Sequence, residues 1–330
     1  MDRQFQLEQW LESVLPEKRF TLSPASADAS FRRYFRVHLQ NKNLIAMDAP
    51  PERESCMPFV QIAKLFAGCG LNVPQVIQQD LVLGFLLLSD LGDETYLSRL
   101  NTDNAQPLYC DATNALIKLQ LASKPNVLPL YDEALLNREM QLFPDWYIAK
   151  HLDVVLDADQ LAVLDNTFAA LTQNILSQGQ VYVHRDYHSR NLMLCENNPG
   201  ILDFQDAVYG AITYDLVSLL KDAYIEWEEE QIIDWAARYW QPAKKAGLPV
   251  PSDFSEFYRD FEWMGAQRHI KILGIFARLS HRDGKDDYLK DIPLVMNYLR
   301  RVCGRYIELR PILKLLNALE GHAEKAGYTF

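Results

Sequence analysis

The chain has 330 residues, more than the roughly 100 to 200 that one hydrophobic core usually organises, so two lobes are expected and a single small module is excluded. Hydrophobic residues make up 48% and charged residues 23%, with 14 Gly and 16 Pro, which excludes a fibrous or largely disordered chain. With 33 Lys+Arg against 44 Asp+Glu the net charge is −11; such a field repels phosphate backbones and anionic bilayers, so neither nucleic acid nor membrane is expected as a partner.

The chain opens MDRQFQLEQWL, without the basic and then apolar segments of a secretory signal. Leu7, Trp10, Leu11 and Val14 recur at helical spacing until Pro16, and the polar stretch SPASADAS reads as a loop. Phe31 to Leu39 alternates aromatic and apolar with basic residues, and Leu44 to Met47 continues after the turn Gln40-Asn41-Lys42-Asn43, which predicts a β-hairpin. Pro50-Pro51 introduces a helix with Phe59, Ile62, Ala63 and Phe66 on one face, closed by Gly68, Gly70 and Pro74. Val73 to Ile77 and Leu81 to Leu88 read as two more strands; the latter, interrupted by Gly84, is the longest apolar run and falls short of the roughly 20 residues of a membrane helix. The five cysteines are scattered, with no CxxC pair, as expected of reduced thiols. A cytoplasmic protein is expected.

From Asp103 the pattern becomes helical, over Leu108 to Leu121, Tyr131 to His151, Asp157 to Ser177, Tyr214 to Ala237, Phe254 to Leu279 and Asp291 to Leu319. Only Val181 to Val183, Leu192 to Cys195 and Gly200 to Phe204 interrupt it as strands. The expected class is α+β, with a small β-rich lobe over residues 1–90 and a large, mainly helical lobe over 91–330.

The short strands carry the chemistry. VYVHRDYHSRNLML reads H-R-D-x-x-x-x-N, presenting Asp186 and Asn191 from one loop between two strands. Twelve residues after Asn191, Ile201-Leu202-Asp203-Phe204 puts a second carboxylate at a strand end. Phosphoryl transfer needs one carboxylate to orient and deprotonate an attacking hydroxyl, and oxygen ligands for Mg²⁺ at the nucleotide phosphates. Asp186 is the candidate base, and Asn191 and Asp203 the candidate Mg²⁺ ligands. His184 and His188 stand four apart, a zinc spacing on helices, but they lie between strand patterns and lack the HExxH context.

These segments resemble the catalytic and metal-binding loops of the protein-kinase-like fold, in the branch of aminoglycoside phosphotransferases and choline kinases. Gln205 stands where a protein kinase has the glycine of Asp-Phe-Gly, and Tyr214-Asp215-Leu216 follows. The resemblance implies ATP with Mg²⁺, a role for His184 and Asp215 in supporting the catalytic loop, and adenine contacts near Asp90 and Leu91. At a finer level, Ser30-Phe31-Arg32-Arg33-Tyr34-Phe35-Arg36, Met47-Asp48-Ala49-Pro50-Pro51, Asp90-Leu91-Gly92-Asp93 and Trp263 to Leu279 with Arg282-Asp283-Gly284-Lys285 resemble bacterial kinases of N-acetylmuramate and N-acetylglucosamine. That likeness implies phosphorylation of the anomeric hydroxyl in cell-wall sugar recycling, with a small-molecule sugar as the partner.

Two departures bear on nucleotide binding. The hairpin that would cover the phosphates, SADASFRRYF, contains no glycine; Ser26 to Ser30 can still offer N–H groups and hydroxyls, and Arg32 or Arg33 can add charge. The strand that would carry the ATP-binding lysine reads Leu44-Ile45-Ala46-Met47-Asp48. Arg32, Arg33 or Lys42 replaces it, or nucleotide binding is weak. Glu52 or Glu54 is the candidate charge partner.

The helix FEWMGAQRHIKILGIFARL aligns Met264, Arg268, Lys271, Ile275 and Arg278 on one stripe. Arg268, His269 and Lys271 are candidate acceptor-binding residues; a solvated face is the plainer alternative. The competing functions are an aminoglycoside- or choline-type phosphotransferase, whose cationic acceptors want an acidic pocket, and a nucleotide-binding pseudokinase, which has no need of a base.

Overall fold

The structure is a computed structural model that describes residues 2–27 and 32–321. The chain forms two compact units, one of Met1–Ala122 with Arg190–Ala207 and the other of Ser123–Ser189 with Val208–Phe330. The first contains α1 (Arg3–Val14), β1 (Thr21–Ala27), β2 (Arg33–His38), β3 (Asn43–Asp48), α2 (Met57–Gly68), β4 (Val76–Asp80), β5 (Phe85–Ser89), α3 (Tyr96–Arg99) and α4 (Ala105–Leu121). The chain then enters the second unit with α5 (Glu133–Met140), a π-helix (Phe143–His151), α6 (Ala158–Ser177) and β6 (Gln180–Val183), returns to the first for β7 (Leu192–Met193) and β8 (Gly200–Ile201), and ends in the second with β9 (Val208–Ala211), α7 (Tyr214–Leu220), α8 (Glu229–Lys245), α9 (Phe254–Asp283), α10 (Ile292–Arg305) and α11 (Arg310–Leu319). Among the described residues, no helix is long and apolar enough to cross a membrane.

In the first unit a five-stranded antiparallel sheet runs in the order β1-β2-β3-β5-β4. Leu7, Trp10 and Leu11 of α1 pack with Val37, Leu44, Ala46, Phe85 and Leu87 of the strands, the alternate residues facing one side of the pleat. The polar stretch expected as a loop begins instead as β1; Pro24 is tolerated because β1 is an edge strand with an irregular register between Pro24 and Ser26. The expected strand Leu81 to Leu88 starts only at Phe85, because Leu81–Gly84 forms the β4–β5 turn and Gly84 has φ +75°.

The compact units also divide the chain differently from a boundary at residue 90. Residues 1–90 lie wholly in the first unit, but α3, α4 and 190–207 belong to it as well. The reason is backbone pairing: Ile201 N–H donates to Asn72 C=O at 2.8 Å and Leu194 N–H to Glu94 C=O at 2.7 Å.

In the second unit the long α9 is buried on nearly every side from Asp260 to Gly274. Three expected helices are each broken in two. Tyr131 to His151 divides because Asp132 caps α5, accepting from Leu135 N–H at 2.9 Å, and Pro144 opens the π-helix. Tyr214 to Ala237 stops at Leu220, where Lys221 leaves helical geometry. Asp291 to Leu319 is interrupted at the extended Tyr306 before Pro311 starts α11. The strand β9, unexpected from the sequence, pairs antiparallel with β6.

Candidate active site

In the second unit, β6 ends at Val183 and delivers the loop His184 to Ser189. Asp215, in the first turn of α7, accepts the His184 N–H on Oδ2 at 2.7 Å and the Arg185 N–H on Oδ1 at 3.0 Å. Asp222, just beyond α7, accepts the Ser189 N–H at 2.9 Å, so one short helix fixes both ends of the loop. His184 is fully buried, and its Nδ1 accepts the Asp186 N–H at 3.2 Å. Arg185 has φ +78°, a strained left-handed conformation for a residue with a side chain; the two bonds to Asp215 and an ion pair with Glu139 hold it there.

The electrostatics separate the two carboxylates. Burial works to raise the Asp186 carboxyl, but the Lys271 ammonium, then His188, Arg185 and Arg268, outweigh it and hold Asp186 below the usual carboxylate range. Burial pushes Asp215 up to about 7, against the hydrogen bonds from His184 and Arg185 and with the help of the Asp186 charge. Beneath them lies a buried polar network: Lys271 Nζ stands 3.1 Å from Glu139 and donates to the Tyr214 hydroxyl at 2.9 Å, and the Tyr131 hydroxyl also donates to Glu139. Burial opposes the charge on Glu139, yet Lys271 and Arg185 keep it below its ordinary range.

Asp186 opens onto a cavity of about 90 Å³. Arg268, Lys271, Ile275 and Phe276 of α9 line it, with His188 and Tyr224. The basic stripe of α9 therefore faces inward at Arg268 and Lys271, not to solvent. His269 does not line the cavity: it is fully buried, its ring stacks on Tyr298 at 5.1 Å, and Nε2 lies 3.3 Å from the Lys221 carbonyl. Burial, then the nearby Lys221 and Arg268, push its pKa well down, so it is neutral.

In the first unit, Asn191 immediately precedes β7 and Asp203 lies just beyond β8, at the same end of this strand pair. Asn191 Nδ2 is 3.4 Å from Asp203 Oδ2, and Gln205 Nε2 donates to Asp203 Oδ1 at 2.8 Å. The residue that departs from the protein-kinase pattern thus orients the carboxylate. Asp203 has φ +61°, and Phe204 anchors the segment, fully buried against Phe59 at 4.9 Å and Phe66 at 5.8 Å. Arg32 is buried and ion-paired with Glu54; Arg33 faces Asp48 across the β2–β3 register and pairs with it. Asp90 is bound by Arg36, with Nε donating to Oδ2 at 2.7 Å, and Leu91 is half-buried. Ser30 lies outside the described residues.

Sequence reasoning missed Glu139, Tyr214 and Asp222. A weak signal existed: Asp222 and Lys221 follow an apolar helix with no polar residue beyond Ser218 in its last turns.

An ionised loop carboxylate braced by a second, in one unit, and a strand-end aspartate beside an asparagine, in the other, are residue types that phosphoryl transfer uses. Comparison with known proteins agrees. Residues 21–248 match the model of the Phosphotransferase enzyme family, and the chain belongs to that family. Its fold matches the ADP-bound crystal structure of aminoglycoside phosphotransferase APH(2'')-Ib with a TM-score of 0.60 at 13% identity, covering 89% of this chain and 97% of that one. An N-acetylmuramate/N-acetylglucosamine kinase of Neisseria meningitidis serogroup B is 50% identical over 336 residues, covering 100% of both chains. A kinase of the same name from Pseudomonas aeruginosa is 49% identical over 329 residues, covering 97% of each.

Proposed function

We propose that this phosphotransferase moves the γ-phosphoryl group of ATP, with Mg²⁺, onto the anomeric hydroxyl of N-acetylmuramate and N-acetylglucosamine. The observation that carries the reading is the 50% identity, over the full length of both chains, to a kinase named for those two sugars. The cavity supports it against cationic acceptors such as aminoglycosides or choline, because Arg268 and Lys271 line the space beside Asp186.

In this reading Asp186 takes the proton of the C1 hydroxyl as that oxygen forms its bond to the γ-phosphorus and the bond to the β-phosphate oxygen breaks, releasing ADP. Its low pKa keeps it ionised at neutral pH. Asp215 and His184 act as positioning residues, holding the loop backbone from His184 to Asp186. Asp203 and Asn191 stand side by side, the Asn191 amide within 3.4 Å of the Asp203 carboxylate, and a carboxylate with an amide oxygen is a donor set that fits Mg²⁺, which takes one or two carboxylates and phosphate oxygens. Held there, Mg²⁺ would supply positive charge to offset that developing on the phosphate in transfer. Arg32, buried against Glu54, takes the part of the absent lysine, and residues 1–90 supply most of the nucleotide contacts, with Arg33, Asp90 and the adjoining Leu91 as further contacts.

A coupled assay of ADP release tests the reading. Turnover with either sugar is expected, and Asp186→Asn lowers kcat by about 10²- to 10⁴-fold with the fold retained. Absence of turnover on both sugars refutes the substrate assignment.

A further inference from the structure

We infer that Arg268 recognises a carboxylate on the acceptor and thereby sets the preference for an acidic over a neutral amino sugar; this inference rests on the amino-sugar kinase reading above. Arg268 is 4% exposed and lines the cavity that holds Asp186. Its Nε and Nη1 are buried and have no hydrogen-bond partner. A guanidinium carries five N–H donors and keeps its charge at any accessible pH. Burying it with donors unmet is costly, and such groups are normally answered by protein, water or ligand.

The neighbouring buried cations are answered from within the unit. Lys271 has Glu139 and the Tyr214 hydroxyl, Arg185 has Glu139, and Lys221 has Glu262 at 3.4 Å. Among the described residues, Arg268 has no such carboxylate in salt-bridge range. Asp186 and Asp215 feel its charge, but the Asp215 oxygens accept from the loop backbone and the proposed base needs its oxygens for the sugar hydroxyl. The acceptor itself must bring the answering group. A planar carboxylate matches the guanidinium fork, and the lactyl carboxylate is what N-acetylmuramate has and N-acetylglucosamine lacks. Ile272, Ile275 and Phe276 give the same cavity an apolar wall suited to the lactyl methyl and the sugar face.

The test compares kcat and KM for N-acetylmuramate, its lactyl methyl ester and N-acetylglucosamine, in wild type and in Arg268→Met. The ester keeps the bulk and removes the charge. Wild type is expected to favour acid over ester by about 10- to 100-fold in kcat/KM, carried by KM, as befits a charge-assisted bond. Arg268→Met abolishes that difference, and Arg268→Lys restores part of it, having the charge without the fork. Circular dichroism checks the fold, and should Arg268→Met not fold, the wild-type comparison of acid with ester and Arg268→Lys decide. Equal turnover of acid and ester by wild type, or equal losses on all three acceptors in the variants, overturns the assignment and leaves the kinase reading standing. Failure of wild type to use any of the three overturns the kinase reading and this assignment with it.

Discussion

Asp186, half-buried in its loop, and Asp215, buried in the helix that braces that loop, have surroundings that drive their acidities apart. One stays ionised at neutral pH while the other titrates near it. The consequences for stability have opposite signs. Asp215 is raised from 3.8 to about 7, so its contribution is fully present below 3.8 and is lost as the pH rises through about 7. Asp186 is lowered, so its contribution is present above 3.8 and is lost as the pH falls through its folded value. Melting temperatures of wild type and Asp215→Asn, followed from about pH 5 to pH 9, should show wild type losing ground to the variant as the pH rises from about 5 to about 7, and a steady difference above it; a difference that is constant over the whole range contradicts the shift. Asp186, Asn191 and Asp203 were legible in the sequence as candidates because a span of eighteen positions contains all three. Glu139 and Asp222 were not, because they reach the loop from 46 and 33 residues away, and nothing local marks a carboxylate that will meet an arginine across the fold.

Among the elements, α9 carries the greatest burden, since it supplies one wall of the cavity and the core of its unit. Its contact with the turn before the π-helix leaves no room for a side chain: a Cβ at Gly274 would stand 2.4 Å from the Leu142 carbonyl carbon. Gly274→Ala is therefore expected to cost about 1–3 kcal/mol of overpacking, read as a lower urea midpoint; an unchanged midpoint contradicts this packing. The ion network across α5 and α9 makes a graded prediction. Glu139→Gln leaves both Lys271 and Arg185 without their shared carboxylate, whereas Lys271→Met leaves Glu139 with Arg185. Removing one partner of a buried pair costs about 3–5 kcal/mol, so Glu139→Gln should be the more destabilising, and the reverse order in chemical denaturation would contradict the network. Helices with a strong apolar stripe, such as α1, α2 and α6, were readable from spacing. The breaks at Leu220 and Tyr306 were not, because spacing marks apolar positions and not the point at which the backbone leaves helical geometry. β1 and β9 escaped for a related reason: a Pro- and Ser-containing edge strand and a four-residue strand lack alternation to read.

The net charge of −11 describes the molecule as a whole, and the residues proposed to meet anions are local exceptions to it. Arg32 belongs to the first unit, while Arg268 and Lys271 belong to the second. Hydrogen exchange gives this division a test. ATP with Mg²⁺ should protect amides mainly in the first unit, around residues 32–36 and 201–205, and the sugar alone should protect 184–189 and 264–276; protection by the sugar confined to the first unit would contradict the assignment of the cavity. The two-part organisation was legible from length and from the change of pattern near residue 90. The membership of 190–207 in the first unit was not, because it depends on backbone pairing with Asn72 and Glu94. The central claim is the transfer of phosphate to the anomeric oxygen of an amino sugar, and ³¹P and ¹³C NMR of the product formed from N-acetylmuramate and ATP tests it most directly. A phosphorus signal coupled to C1 is expected, absent with Asp186→Asn; phosphate on any other hydroxyl, or no phosphorylated sugar from the wild-type enzyme, would overturn this assignment.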